Sequence, residues 1–196
     1  MAGYWVSDGS TTPAWVEFAN PYTSYNDCIV SSIALYDGKV YAGGSCYTAD
    51  SIPINKACYW VSDGTATPTR VELENPNGSS YSGWVNSVAV KDGVIYAGGA
   101  CYNSSGVSKA GYWVSDGTAT PVYTAFTNTH GSSYDSNVYS IAIDGDDIYF
   151  AGDVYSSSGA EYTGYHKNSN AAWTELATGY DTSVYWGSYP CQIVIK

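Results

Sequence analysis

Arginine is almost missing from this chain. Arg70 stands alone, and lysine and arginine together number 7 against 18 aspartates and glutamates, for a net charge of −11. Nucleic acids are gripped by patches of Lys and Arg, so no nucleic acid is expected as a partner. The same shortage argues against an anionic membrane surface. No apolar run approaches the length that spans a bilayer, so no membrane insertion is expected. The opening Met-Ala-Gly-Tyr-Trp lacks the charged and apolar regions of a signal peptide, so any export signal is expected outside this chain.

Cysteine is also sparse. Five cysteines do not make a disulfide scaffold, and an odd number leaves at least one unpaired. They read most simply as small buried residues. Cys46 and Cys58 flank one expected hairpin, however, and could face each other as a disulfide. Neither C-x-x-C nor paired Cys/His spacing occurs, which removes the usual zinc patterns. The motifs call for no cofactor.

Aromatic and turn residues are abundant: 21 Tyr, 7 Trp and 21 Gly among 196 residues. Such a chain suits a twisted all-β protein with many turns, because aromatic and β-branched side chains fit a pleated surface. Gly-Tyr-Trp-Val-Ser-Asp-Gly stands at residues 3 and 111, and Cys-Tyr-Trp-Val-Ser-Asp-Gly at residue 58, so the copies start 55 and 53 residues apart. A second string keeps the period: Ser-Ile-Ala-Leu-Tyr-Asp-Gly-Lys-Val-Tyr-Ala-Gly-Gly from Ser32, Ser-Val-Ala-Val-Lys-Asp-Gly-Val-Ile-Tyr-Ala-Gly-Gly from Ser87, and a looser copy from Ser140. Such self-similarity marks an array of one supersecondary unit.

In the best copy the unit divides into four apolar-alternating runs, 85–90, 94–102, 110–115 and 121–126. Asp-Gly between the first two and between the last two is a tight-hairpin signal, since glycine accepts positive φ. A four-stranded antiparallel meander of about 53 residues is the blade of a β-propeller. The expected fold is therefore all-β and propeller-type, a single domain over 1–196 or a propeller fragment. It comprises a partial blade at 3–18, blades at 29–74, 84–126 and 137–176, and a closing strand at 190–196. A fragment of a larger propeller, a four-bladed ring with one thin blade, and a ring built from several chains all fit this phasing; the first and last fit best.

These two strings resemble those of bacterial repeat proteins, secreted or surface-anchored, whose usual form is close to SIAVSGSDVYVAGY followed by AKYWKNG. The resemblance covers essentially the whole chain. It implies propeller blades, kelch-like in the broad sense, on the cell exterior, and it implies no characterised activity. The extra cysteines and the doubled glycine depart from the pattern.

A catalytic carboxylate should break the repeat, because one site needs one geometry. Asp37, Asp92 and Asp144, like Asp8, Asp63 and Asp116, obey it and read as turn formers. Asp144, Asp146 and Asp147 crowd one turn and are weak calcium candidates, since oxygen ligands cluster there; a solvated acidic turn is the plainer reading. His130 and His166 have no partner at motif spacing and read as loop or strand-surface residues. No Gly-x-Ser-x-Gly elbow occurs. The Ser-Asp-Gly-Thr strings suggest sialidase-like propellers, but one arginine cannot build the arginine cluster a sialidase needs.

The candidate site lies before each opening strand, where Ser-Tyr recurs at Tyr25, Tyr81 and Tyr134, with an altered copy at Tyr185. Trp84, Tyr139, Trp186 and Tyr189 lie nearby. Loops from one blade's last strand to the next blade's first open on one face, so these aromatics should form an arc. Aromatic rings beside Ser, Asn and Asp suit sugars or protein contacts. Packing of each tyrosine into its own blade corner is the competing explanation. The expected function is a non-enzymatic extracellular recognition module for a glycan or a protein partner. The alternative is an assembly protein whose half-blades join between chains, as a homo-oligomer completing the propeller. An enzyme would need carboxylates or histidines gathered from non-equivalent loops.

Overall fold

The computed structural model describes residues 2–7, 9, 12–22, 27–64, 67–168 and 172–176. Among them are fourteen strands. β1 (Gly3–Val6) and β2 (Ala14–Glu17) form a two-stranded sheet. Three four-stranded antiparallel sheets follow, each in simple sequence order. The first holds β3 (Cys28–Tyr36), β4 (Lys39–Tyr47), β5 (Asn55–Ser62) and β6 (Thr69–Glu72). The second holds β7 (Gly83–Lys91), β8 (Val94–Tyr102), β9 (Ser108–Ser115) and β10 (Val122–Ala125). The third holds β11 (Ser136–Asp144), β12 (Asp147–Tyr155), β13 (Glu161–Lys167) and β14 (Thr174–Glu175). Consecutive meanders packed face to face, with neighbouring first strands in contact, are propeller blades. The 190–196 strand lies outside the described residues.

Turn chemistry sets the hairpins. Asp37 and Gly38 have φ of 47° and 69°, and Asp92 and Gly93 have 51° and 80°. Two positive φ values in a two-residue loop match the right-handed twist of the strands they join. The third hairpin reverses the order to Gly145-Asp146, and there the glycine alone is left-handed, at 55°. The Ser-Asp-Gly turns have a second device. Ser7, Ser62 and Ser115 accept the amide of the glycine two residues on, at 3.0, 3.2 and 3.3 Å. Short polar side chains hold turns in this way.

Each first strand is bulged at one place, between Val30 and Ser32, Val85 and Ser87, and Val138 and Ser140. The two glycines opposite do different jobs. A Cβ on Gly44, Gly99 or Gly152 would lie 1.9 Å from a carbonyl oxygen of the bulged strand. A Cβ on Gly43 or Gly98 would instead strike the next blade, 2.7 Å from Val85 Cγ1 or 2.8 Å from Val138 Cγ1. Ser32 Oγ accepts Val88 N at 3.1 Å and Ser87 Oγ accepts Ile141 N at 3.0 Å, so successive first strands are tied blade to blade.

The core lies between blades. Tyr59 and Trp60 are both buried, as are Tyr112 and Trp113, because the tyrosine faces the following blade and the tryptophan the preceding one. Tyr59 Oη reaches Ser115 Oγ at 2.8 Å, and Tyr4 Oη reaches Ser62 Oγ at 2.9 Å. His166 takes the tryptophan's place in the third blade. It is buried, its ring stacked on Phe126 at 4.0 Å, which corrects the surface role expected for it.

The cysteine expectation also needs correcting. Cys28 and Cys46 are directly opposed on β3 and β4 and form a disulfide. Cys58 is opposed to Gly44 and lies diagonal to Cys46, with its sulfur 4.0 Å away. Cys58 and Cys101 are buried free thiols, and desolvation pushes both up to about 12.

Candidate inter-blade cleft

The loops from 73 to 82 and from 126 to 135, which carry the candidate tyrosines, are built alike around one asparagine. Asn75 Nδ2 donates to the carbonyls of Tyr81, Ser82 and Tyr102 at 3.3, 3.0 and 3.0 Å. Asn128 Nδ2 donates to those of Tyr134, Asp135 and Tyr155 at 3.3, 3.2 and 2.9 Å. Each asparagine Oδ1 accepts the amide two residues on, from Asn77 and His130. One side chain thus ties each loop to itself and to the second strand of the blade it enters. A lysine of the preceding blade braces the loop from the other side. Lys56 Nζ donates to Ser79 O at 2.6 Å, and Lys109 Nζ to Ser132 O.

The tyrosine rings rest on glycines of their own loops. A Cβ on Gly78 would meet the Tyr81 ring at 3.7 Å, and one on Gly131 would meet the Tyr134 ring at 2.8 Å. Both glycines have φ well into the positive range, 121° and 130°. Both rings are half-buried and pack against their own loops. Tyr81 borders a cleft of about 340 Å³ between the first and second blades. Asn55, Lys56, Glu72, Glu74 and Ser79 supply its polar lining. Glu72 is committed: its Oε2 accepts Arg70 Nη1 at 3.2 Å and Tyr22 Oη at 3.2 Å, and Lys56 lies 4.0 Å from Oε1. The cleft thus presents one aromatic side chain, amide and hydroxyl groups, and carboxylates of which one is already paired.

The other candidates among the described residues do not join this cleft. Trp84 packs edge-on against Tyr102 with centroids 5.2 Å apart. Tyr134 repeats the Tyr81 arrangement one junction on. Tyr139 is engaged inside the third blade: its hydroxyl donates to Asp153 Oδ2 at 3.1 Å, while Asn137 Nδ2 donates to Oδ1 at 3.3 Å. Asp153 is fully buried, and desolvation, reinforced by the charge of Glu161, pushes its carboxyl up to about 6 against the hydrogen bonds. Burial and the Asp153 charge in turn raise the Tyr139 phenol. Tyr25, Tyr185, Trp186 and Tyr189 lie outside the described residues.

The calcium candidates are drawn apart by cations. Asp146 pairs with Lys91 at 2.8 Å and Asp147 with Lys167 at 2.6 Å. Lys167, then Asn168, hold Asp147 below its ordinary value. Among the described residues no group of three or more His, Cys, Asp or Glu side chains could hold a metal ion. Asp116 is a turn former, its Oδ1 accepting from Thr118 N, Thr118 Oγ1 and Ala119 N.

Sequence reasoning passed over Asn75, Asn128, Lys56 and Asp153, although each leaves a trace. Phe18-Ala19-Asn20, Leu73-Glu74-Asn75 and Phe126-Thr127-Asn128 repeat an apolar residue two before an asparagine. Lys56 and Lys109 both stand three before the Tyr-Trp pair. Asp153 occupies the position of Ser45 and Ala100, so it is a carboxylate that does break the repeat.

No protein-family model matches this chain, and no curated protein matches it. Among solved structures it is similar to sucrose-6-phosphate hydrolase from Lactobacillus gasseri, at 11% identity and TM-score 0.49 over 77% of this chain and 36% of that one. A β-xylosidase is similar at 18% identity and TM-score 0.42, over 64% and 43%. A thermostable family-43 glycoside hydrolase is similar at 12% identity and TM-score 0.47, over 83% and 58%. The chain thus spans between 36% and 58% of the length of these structures. At such identities the likeness concerns the fold alone, and no residue role is carried over.

Proposed function

We propose that this protein is a non-enzymatic extracellular recognition module, and that the cleft headed by Tyr81 takes a sugar residue of a glycan or a side chain of a protein partner. The observation that carries this reading is the cleft itself: an aromatic ring on a clamped loop, beside the polar side chains of Asn55, Ser79 and Glu74. Ring faces stack on the C–H faces of sugars, while amides, hydroxyls and carboxylates meet their hydroxyl groups. The Asn75 clamp and the Lys56 brace support it, because a preformed loop loses little entropy on binding. The resemblance to exported bacterial repeat proteins supports an exterior location, and so does the Cys28–Cys46 bridge, since disulfides persist in oxidising compartments.

Calorimetry against a panel of neutral oligosaccharides tests this reading. Tyr81→Ala should weaken binding at least about tenfold, by removing the stacking surface, with little change in the unfolding midpoint. Binding that survives the substitution, or release of reducing sugar by the intact protein, would overturn it.

A further inference from the structure

Each junction between successive sheets is made in the same way. An aromatic residue on the third strand of the following blade covers the residue just after the fourth strand of the preceding one. Trp60 stacks on Phe18 with centroids 5.1 Å apart, Trp113 shares a buried cluster with Leu73, and His166 stacks on Phe126. The two indoles also donate Nε1–H to the next carbonyl, Trp60 to Ala19 at 3.3 Å and Trp113 to Glu74 at 2.9 Å. Three junctions thus share one recipe: a ring packed with an apolar residue, with a hydrogen bond at the two tryptophan copies.

Among the described residues, both halves of that recipe also occur exposed. Trp5 holds the place of Trp60 and Trp113 in β1, yet it is 68% exposed where they are 0% and 1%. Its ring meets Trp15 of its own hairpin at 5.2 Å, and Trp15 is itself exposed. Leu176 holds the place of Phe18, Leu73 and Phe126 after β14, and it is 49% exposed where they are buried. The open ring and the open apolar seat are the two sides of a joint this chain already makes three times.

We propose that two copies of this protein join head to tail, with the Trp5 face of one copy seated on the Leu176 face of the other. The contact pairs different surfaces, so it is heterologous and leaves one open face of each kind on every pair. Repetition therefore closes a ring or extends a row. The net charge of −11 opposes it, so the association strengthens as salt screens the repulsion. This inference does not depend on what the Tyr81 cleft binds.

Sedimentation equilibrium of the intact protein over a wide concentration range tests it. The mass should rise above that of one chain with concentration, and more steeply in higher salt. Trp5→Ser and Leu176→Asp should each hold the protein at one chain with an unchanged far-ultraviolet spectrum, which the exposure of both residues permits. The decisive sample is an equimolar mixture of the two variants. Each keeps one intact half, so the mixture should form a two-chain species and nothing larger. A one-chain mass of the unmodified protein at every concentration would overturn the proposal. So would association that both substitutions leave unchanged, or a mixture that stays at one chain.

Discussion

The second and third blades share four strands, a bulge at the same place and hairpins at the same positions, yet their trailing faces differ in chemistry. The second carries Gly98, Ala100 and Tyr112, and Val138, Ile141 and Phe150 of its neighbour close upon Gly98 and Tyr112. The third places Ala151, Asp153 and Tyr165 at the same positions and turns a small apolar seat into a buried polar cluster around Asp153. Leading faces diverge less: His166 replaces Trp113 but still lies flat on the preceding blade. Strand pairing and turns hold the blade, while the facing side chains are free to change with what they meet.

Five substitutions would break or sharpen that contrast. The largest effect belongs to Trp113→Ala, which empties a fully buried junction and should cost about 3–5 kcal/mol in urea unfolding. His166→Ala should cost clearly less, because the ring is smaller; equal losses would mean the two junctions do not differ as their side chains suggest.

Asp153 should show itself through pH. Its carboxyl titrates near 6 in the fold against 3.8 when unfolded. The folded state therefore binds more protons across that window, so stability is greatest below it and declines as pH rises through it. Asp153→Asn keeps an acceptor for Tyr139 and removes the charge. Its stability relative to the unmodified protein should improve between about pH 4 and about pH 7.5 by at most about 3 kcal/mol. A pH-independent difference would show that Asp153 titrates normally.

The smallest effect concerns one methyl group. Gly98→Ala places a Cβ 2.8 Å from Val138 Cγ1 and 3.1 Å from Ile141 Cδ1, and should cost about 1–3 kcal/mol through overpacking. The third blade already carries that methyl at Ala151, so Ala151→Gly should cost no more than about 1 kcal/mol. Matching losses would mean the glycine serves the strand rather than the junction.

Much of the fold was legible in the chain because its signals are local. Asp92-Gly93 and Ser115-Asp116-Gly117 carry their own backbone preferences and turn wherever they stand. The 53-residue period then carried one blade's pattern to the others. The tyrosines were legible as loop residues, and Asp153 as a departure from Ser45 and Ala100. What could not be read was partnership. Cys46 lies as near in sequence to Cys58 as a hairpin requires, but strand register sets it opposite Cys28. His166 reads as a polar strand residue until Phe126 of the preceding blade is laid against it.

By itself, then, the sequence determined the strands, their hairpins and the repetition of one blade, because alternation, Asp-Gly turns and Ser-Asp-Gly loops act over a few residues. Only the tertiary structure decided which cysteines bond, that Tyr81 borders a cleft while Tyr139 serves a buried carboxylate, and that Trp5 and Leu176 stay open where their counterparts are covered. Those outcomes depend on register and on what the neighbouring blade presents, and both are set by contacts between residues some fifty positions apart.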